Sequence, residues 1–329
     1  MAERKNGTVT YRRTLSPILE IFRLAPQDGT PFPDYKAGQY MALSRDDCRL
    51  TKKVVGTNAE ATYAYDTDEG GNVKHGQVTH SYSISSAPSE TKRYGYLEFY
   101  VVLEMIRTEI PGRLSESLFH MDPERDSKLL YVNKIAGDFT LERRAAGFSS
   151  VVFCGTGTGL APFASMLKEL DFHASHGGND GTRYTLFHAN RTAAELGYHN
   201  DLLAIEKARH IDFVYVPSVS RPDSRDFPDE TLGKGRANNL LRSIVGMSMK
   251  EEQDLDQAEA KGSEAHSQAE VALKKAVRPI LPGHLTREQL RERLDPQRTV
   301  ILTCGNPSVM DDIRYIAESS KIKFEKEEW

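Results

Sequence analysis

The chain of 329 residues is long enough for two domains, each with its own hydrophobic core. With 43 basic and 47 acidic residues and a net charge of -4, it lacks the positive excess typical of proteins that bind nucleic acid. No apolar run is long enough to span a bilayer, and the first residues lack the apolar segment of a secretion signal. We therefore expect a cytoplasmic protein with neither a nucleic-acid nor a membrane partner.

The three cysteines, Cys48, Cys154 and Cys304, lie far apart in the sequence, and no two form a Cys-x-x-Cys pair. This spacing argues against a disulfide framework, a structural zinc and an iron-sulfur cluster on this chain. We expect no metal site here, and any metal centre would belong to another protein.

The first part of the chain has the period of β-strands. Six β-rich runs are separated by Pro, Gly and Asp, at 8–14, 18–25, 39–43, 79–85, 96–104 and 128–132. They predict an antiparallel six-stranded β-barrel, which we assign to a domain over 1–146. A polar segment at about 45–78 interrupts the pattern and is expected to form a surface loop or a hairpin insertion.

The pattern changes after residue 147. Short apolar strands alternate with helical stretches, at 151–154, 184–189, 213–216, 300–304 and 322–324. They predict a doubly wound parallel α/β domain over 147–329. Its insertion, at about 247–285, contains a stretch rich in Glu, Gln, Ala and Lys that we expect to be an exposed helical excursion. The excursion is either a solvated insertion or a surface that binds a partner or pairs two subunits, and we expect a monomer or a weak dimer.

A glycine-rich turn follows the first apolar strand of this domain. Residues 155–159 read Gly-Thr-Gly-Thr-Gly, and Pro162 then suits the first turn of a helix. The positive end of that helix favours an anionic group such as a pyrophosphate. The spacing differs from the usual dinucleotide fingerprint, and no Gly-Lys-Ser/Thr follows, which argues against an NTPase phosphate loop. A tight turn without a ligand is the alternative.

His80-Ser81-Tyr82-Ser83 lies on the fourth predicted strand. The sequence here resembles the ferredoxin-NADP reductase family, whose barrel carries Arg-x-Tyr-Ser and whose α/β domain opens with Gly-Thr-Gly-Thr-Gly and Ala-Pro. Further matches occur in the same order: Tyr-Lys-Ala-Gly-Gln-Tyr at 35–40, Glu-Phe-Tyr-Val at 98–101, Gly-Arg-Leu-Ser at 112–115, His-Ala-Asn-Arg at 188–191, Val-Ser-Arg at 219–221, Gly-Arg at 235–236 and Cys-Gly-Asn-Pro at 304–307. The final Glu328-Trp329 is similar to the bacterial branch, whose chains end in an aromatic residue.

The resemblance implies that the barrel binds FAD. A flavin needs an aromatic face and a donor near N5, which Tyr82 and Ser83 can supply, although Tyr82 could instead be a core tyrosine. Arg113 and the turn that follows it suit the diphosphate. The implied FAD-binding residues are His80, Ser81, Tyr82, Ser83, Tyr100, Arg113, Leu114, Ser115, Thr158, Glu328 and Trp329.

His80 departs from the family pattern, which has arginine at this position. Arginine is always charged and binds two oxygens at once, whereas histidine is mostly neutral at cytoplasmic pH. We expect a weaker and pH-sensitive hold on FAD. The alternative is a solvent-facing histidine, with Arg113 alone at the phosphate.

The α/β domain is expected to bind NADP. Arg191, Arg221 and Arg236 follow successive elements and are expected at the carboxyl edge of the sheet, where such folds bind ligands. By resemblance, Ser220, Arg221 and Arg236 bind the 2′-phosphate, which suits guanidinium groups. The implied NADP-binding residues are Gly155, Thr156, Gly157, Thr158, Gly159, Asn190, Arg191, Ser220, Arg221, Arg236, Gly305, Asn306 and Pro307.

The resemblance places four residues at the reacting rings: Tyr82, Ser83, Cys304 and Trp329. Cys304 would lie beside the nicotinamide, or serve only as a core cysteine. Trp329 would cover the second flavin face and move aside for the nicotinamide.

The resemblance implies an FAD-dependent NADP(H) reductase. Hydride would pass between the nicotinamide and flavin N5, and single electrons to or from a ferredoxin or flavodoxin. The alternatives are an NAD(P)H-dependent reductase component of an oxygenase system and a non-catalytic nucleotide-binding interaction module.

Overall fold

The computed structural model describes residues 3–55, 61–105, 110–122, 124–178, 181–259 and 262–327. The chain divides into two compact units, Met1–Asp138 and Phe139–Trp329. The division falls ahead of the boundary expected after residue 146, because Phe139 packs on Phe163 of the second unit with ring centroids 5.9 Å apart.

The first unit is built on an antiparallel sheet. Its elements are β1 (Arg4–Ser16), β2 (Leu19–Pro26), β3 (Tyr40–Arg49), β4 (Thr51–Val55), β5 (Ala61–Tyr65), β6 (His75–Ser83), α1 (Pro88–Tyr94), β7 (Leu97–Val102), α2 (Arg113–His120) and β8 (Lys128–Ala136). Six strands pair in the order β6-β3-β8-β1-β2-β7. The two edge strands meet where Ile84, directly after β6, bridges Phe99 in β7. This closure confirms the predicted six-stranded antiparallel barrel.

Alternation along the strands fills the barrel with apolar side chains. Met41 and Leu43 of β3 are fully buried, as is Phe99 of β7, and all three belong to one core. Leu114 and Leu118 of α2 pack into the same core. The start of α2 is therefore anchored to the barrel.

The polar segment between β3 and β6 contains a β-hairpin. Strands β4 and β5 pair antiparallel from Thr51–Tyr65 to Val55–Ala61. At the base of the hairpin, Arg49 pairs with the buried carboxylate of Glu116 in α2, and its guanidinium lies over the Tyr65 ring. The hairpin base is thus tied to α2.

The second unit is a parallel α/β sheet. Its elements are α3 (Leu141–Arg144), β9 (Ser150–Thr156), α4 (Ala161–Ser175), β10 (Arg183–Asn190), α5 (His199–Ala208), β11 (Asp212–Val219), β12 (Gly233–Lys234), α6 (Ala237–Val245), α7 (Lys250–Ala258), α8 (Ser263–Lys275), α9 (Arg287–Arg291), β13 (Thr299–Cys304), α10 (Pro307–Ser319) and β14 (Lys323–Lys326). The strand order is β12-β11-β10-β9-β13-β14. This confirms the predicted doubly wound parallel domain, with the change of direction between β9 and β13. Doubly wound folds bind ligands at the carboxyl ends of the strands at such a point.

Helices α7 and α8 fall within the second predicted insertion. No residue of α8 is buried, whereas Glu251 and Ala258 of α7 are. Part of the insertion therefore packs on the domain through α7. Among the described residues, no helix combines the length and the apolar character needed to cross a membrane.

Candidate functional site

The glycine turn lies at the point where the strand order changes. Gly157 has a φ of 57°, a left-handed conformation that glycine adopts without strain. Gly159 serves a different purpose, because a Cβ there would collide with the carbonyl group of Cys304. Gly305 has a φ of 125°, and a Cβ on it would collide with Thr156. The glycines thus bring the β9 turn and the β13–α10 loop into backbone contact.

Asn306 and Pro307 begin α10 in this loop. The Asn306 backbone N–H donates to Thr156 Oγ1 at 2.9 Å, and its side-chain oxygen accepts from Ser308 N at 3.0 Å and Val309 N at 3.3 Å. Asn306 is therefore the N-cap of α10 and joins that helix to the glycine turn. The structure brings 155–159 and 305–307 together, as their assignment to one site requires.

Cys304, the last residue of β13, is fully buried. Its Sγ donates to Glu327 Oε2 at 2.8 Å, and burial together with this carboxylate raises the pKa of the thiol well above its usual value. The thiol is therefore protonated and neutral at physiological pH.

Sequence reasoning missed Glu327, which is itself buried. The sequence indicated only the short apolar strand at 322–324, whereas the structure pairs β13 and β14 in parallel from Val300–Lys323 to Thr303–Lys326. This pairing carries the chain on to Glu327, beside the end of β13. Glu328 and Trp329 lie outside the described residues.

A second group of predicted residues meets at the carboxyl edge of β10, β11 and β12. Ser220 N donates to Asn190 O at 2.8 Å, and Arg221 N donates to Arg191 O at 2.8 Å. Gly235 N donates to Val219 O at 2.9 Å, which brings Arg236 to the same edge. The sheet register therefore assembles the three predicted arginines.

The three guanidinium groups have different surroundings. Arg191 forms an ion pair with the buried Glu195, with Nε donating to Oε2 at 3.0 Å. Arg236 lies 3.4 Å from a carboxylate oxygen of Glu251, and its side chain is 58% exposed. Arg221 is exposed, and no carboxylate in the described part of the chain pairs with it. Arg221 and Arg236 are thus the more accessible cations at this edge.

The predicted FAD residues of the first unit lie on β6 and at the start of α2. His80 and Ser81 are exposed, Ser83 is buried, and Tyr82 is half-buried and packs against the barrel core. Burial raises the Tyr82 pKa, so its hydroxyl stays protonated. The sequence left Tyr82 as either a flavin-stacking residue or a core tyrosine. The structure is compatible with both, since Tyr82 contacts the core and still exposes part of its surface.

His80 and Arg113 are electrostatic neighbours. Loss of solvent around His80 and the positive charge of Arg113 lower the His80 pKa, and the Glu104 carboxylate opposes them. His80 is therefore neutral at pH 7, as expected for a histidine in place of arginine. Glu104 is a further charged neighbour that the sequence did not indicate.

The remaining predicted FAD residues have structural roles. The Ser115 hydroxyl donates to Gly112 O at 3.1 Å and accepts from Glu104 N at 3.2 Å. Leu114 belongs to the barrel core. Tyr100 is buried on β7, and Thr158 lies half-buried in the second unit. In the described ranges, no cluster of three or more His, Cys, Asp or Glu side chains is arranged to hold a metal ion.

Comparison with known proteins gives matches in sequence and in structure. Residues 153–255 match the family model of the oxidoreductase NAD-binding domain. A flavohemoprotein of Halalkalibacterium halodurans is 27% identical over 168 residues, which cover 51% of this chain and 33% of that relative. The chain thus matches about a third of the length of this curated relative.

Two solved structures illustrate the similarity of fold. A ferredoxin NADP+ reductase from Neisseria gonorrhoeae, with bound FAD and NADP, superposes with a TM-score of 0.60 at 18% identity and covers 99% of both chains. A cytochrome P450 reductase of Amycolatopsis gives a TM-score of 0.57 at 16% identity, over 99% of this chain and 71% of that one.

The matched residues 153–255 lie within the second unit, so the similarity to an oxidoreductase NAD-binding domain belongs to that unit. The match to the Neisseria gonorrhoeae reductase confirms the two-domain fold that the resemblance to the ferredoxin-NADP reductase family implied.

Proposed function

We propose that the chain is an FAD-dependent NADP(H) reductase that exchanges electrons with a separate ferredoxin or flavodoxin. The observation that carries the proposal is the carboxyl edge of the parallel sheet. There the glycine turn contacts the Cys304-Gly305 backbone, and Arg221 and Arg236 lie farther along the same edge. Turns without side chains suit a pyrophosphate, and accessible guanidinium groups suit a phosphomonoester.

The NADP site would use the two parts of this edge for different groups. The backbone of 155–159 and the start of α4 would bind the pyrophosphate, since glycines leave their N–H groups accessible to a ligand. Ser220, Arg221 and Arg236 would bind the 2′-phosphate. The neutral Cys304 thiol, held by Glu327, would lie beside the nicotinamide and keep its proton there.

The FAD site would use the first unit. His80, Arg113 and the first N–H groups of α2 would hold the diphosphate, and Tyr82 would stack on the flavin ring. Arg113 is half-buried and forms no ion pair with a carboxylate of the described ranges, and a guanidinium suits a phosphate. Bound FAD would supply hydride exchange with the nicotinamide and single-electron exchange with a protein partner.

A second candidate is the reductase component of an oxygenase system, favoured by the fold similarity to the Amycolatopsis cytochrome P450 reductase. It would use the same two nucleotide sites and differ only in the electron acceptor. The cytoplasmic location stays a prediction from the sequence.

The test is optical. Purified protein loaded with FAD is expected to be yellow and to lose its visible flavin absorbance when NADPH is added without air. NADH at the same concentration is expected to bleach it more slowly. A protein that cannot be loaded with FAD would contradict the proposal and favour a non-catalytic nucleotide-binding module. Cytochrome reduction with added ferredoxin, flavodoxin or a cytochrome P450 then separates the two candidate acceptors.

A further inference from the structure

Glu251 is a buried carboxylate near the nucleotide edge, in the segment that the sequence predicts to be an insertion. It lies in the first turn of α7 and is 7% exposed. One oxygen, Oε2, accepts a hydrogen bond from Asn239 Nδ2 at 2.7 Å, and the other, Oε1, lies 3.4 Å from Arg236 Nη1. Glu251 thus contacts a residue of the proposed 2′-phosphate site.

Asn239 fixes the start of α7 on α6. Besides donating to Glu251, its side-chain oxygen accepts from Lys250 N at 2.9 Å. Asn239 is itself buried in α6. The position of the Glu251 carboxylate is therefore set by two hydrogen bonds at the junction of the two helices.

Arg236 immediately precedes α6, at the carboxyl edge of the sheet. In the described part of the chain, Glu251 is the one carboxylate paired with Arg236, with Oε1 lying 3.4 Å from Nη1. A long, exposed arginine loses conformational freedom when it binds a ligand, and a fixed carboxylate reduces that loss by ordering the side chain beforehand. A guanidinium has five N–H donors, and the Arg236 side chain is 58% exposed, so donors of Arg236 stay accessible to a phosphate beside Glu251.

We propose that Glu251 is a positioning residue that holds Arg236 at the 2′-phosphate site, so that helix α7 contributes to the choice of NADPH over NADH. The inference rests on the proposed function. A carboxylate near a phosphate could also act in the opposite way, by repulsion. The sign of the change in NADPH affinity therefore separates positioning from repulsion.

The test is Glu251→Gln, which keeps the shape of the side chain and its acceptor for Asn239 but removes the charge. We expect the KM for NADPH to rise about three- to ten-fold and the KM for NADH to change less than about two-fold, because NADH has no 2′-phosphate. The matched control is Asp254→Asn in the same helix, whose carboxylate pairs with Lys250. It is expected to leave both KM values unchanged.

A double-mutant cycle with Arg236→Ala tests whether Glu251 affects the KM for NADPH through Arg236. In that background Glu251→Gln should cause no further rise in the KM for NADPH. Glu251→Asp, which keeps the charge on a shorter side chain, should give a smaller shift in the same direction and replaces the glutamine variant if that variant does not fold.

Four outcomes overturn the inference: a lower KM for NADPH, an unchanged KM for NADPH, equal changes for both coenzymes, or an undiminished effect without Arg236. Failure of the proposed function looks different. If Arg221→Ala and Arg236→Ala leave the preference for NADPH unchanged, the phosphate site itself is wrong. If they abolish the preference and Glu251→Gln does not alter it, only the role of Glu251 is wrong.

Discussion

Arg221 differs from its two neighbours at the sheet edge because no carboxylate in the described chain neutralises it. Arg191 already pairs with Glu195, and Arg236 with Glu251. A phosphate that approaches Arg191 would compete with an existing ion pair, whereas one that approaches Arg221 meets no such competitor among the described residues. Arg221 is therefore expected to contribute most to recognition of the 2′-phosphate.

Arg221→Ala should raise the KM for NADPH by about 10- to 100-fold, since a hydrogen bond to a charged group contributes about 1.5–3 kcal/mol. The KM for NADH should change less than about three-fold, because the lost contact is specific to the extra phosphate. Arg225→Ala is the control, since Arg225 is exposed in the same segment but pairs with Asp223. Steady-state kinetics with both coenzymes make the comparison, and equal losses for both would refute the assignment.

For individual residues, the sequence predicted where the arginines lie but not which carboxylates pair with them. The predicted arginines lie at one edge because parallel strands in register end together, and this follows from the apolar pattern. Their carboxylates could not be predicted in the same way. Glu251 reaches Arg236 only because α7 packs on α6 through Asn239. The contact of Glu327 with Cys304 was missed for a similar reason, since it depends on a strand that runs farther than its apolar residues indicate.

At the scale of elements, the glycine turn shows that one motif can contain two kinds of glycine. Gly157 is required by its backbone conformation, with open space where a Cβ would lie. Gly159 has ordinary φ but no room, because the Cys304 carbonyl occupies the position of its Cβ. The alternating spacing predicted the turn, but it could not show which glycine packs against another loop.

Gly159→Ala should therefore destabilise the protein more than Gly157→Ala. Alanine in a left-handed conformation costs about 1–2 kcal/mol, whereas a backbone collision at Gly159 should cost about 3 kcal/mol or more by forcing two loops apart. Urea unfolding of both variants, followed by circular dichroism, measures the difference. Equal destabilisation would mean that the β9 turn and the β13–α10 loop are not in contact.

Short and inserted elements were the hardest to predict. Strand β12 has only two residues, and it exists because Val219 and Ile280 provide backbone partners on either side. Such a strand has no period of its own to detect. The hairpin of β4 and β5 was one of two expectations for its segment, since polar residues with turn signals suit either a loop or a hairpin.

For the whole molecule, the two halves were predictable because they follow different rules. Alternating side chains fill a barrel closed on itself, and continuous apolar strands fill a sheet covered on both faces. The fold is shared with the Neisseria gonorrhoeae reductase at 18% identity, so it does not depend on the identity of most individual residues.

All three cysteine thiols are protected by burial, and they are distributed over both units. Their reactivity therefore tests the packing of the whole fold. Cys48 in the first unit and Cys154 and Cys304 in the second are free and buried, and burial raises the pKa of each. Only the thiolate reacts, so a thiol that is both inaccessible and protonated should be inert.

We therefore expect a disulfide reagent such as DTNB to label none of the three thiols in the folded protein at pH about 8, near the pKa of a free cysteine, and all three in denaturant. Because Cys48 alone reports on the first unit, Cys48→Ser should remove one equivalent from the denatured count and leave the folded count at zero. Absorbance of the released thiolate gives both counts. Fast labelling of the folded protein that disappears in Cys48→Ser would show that the barrel core is open, and labelling that persists would place the opening in the α/β unit.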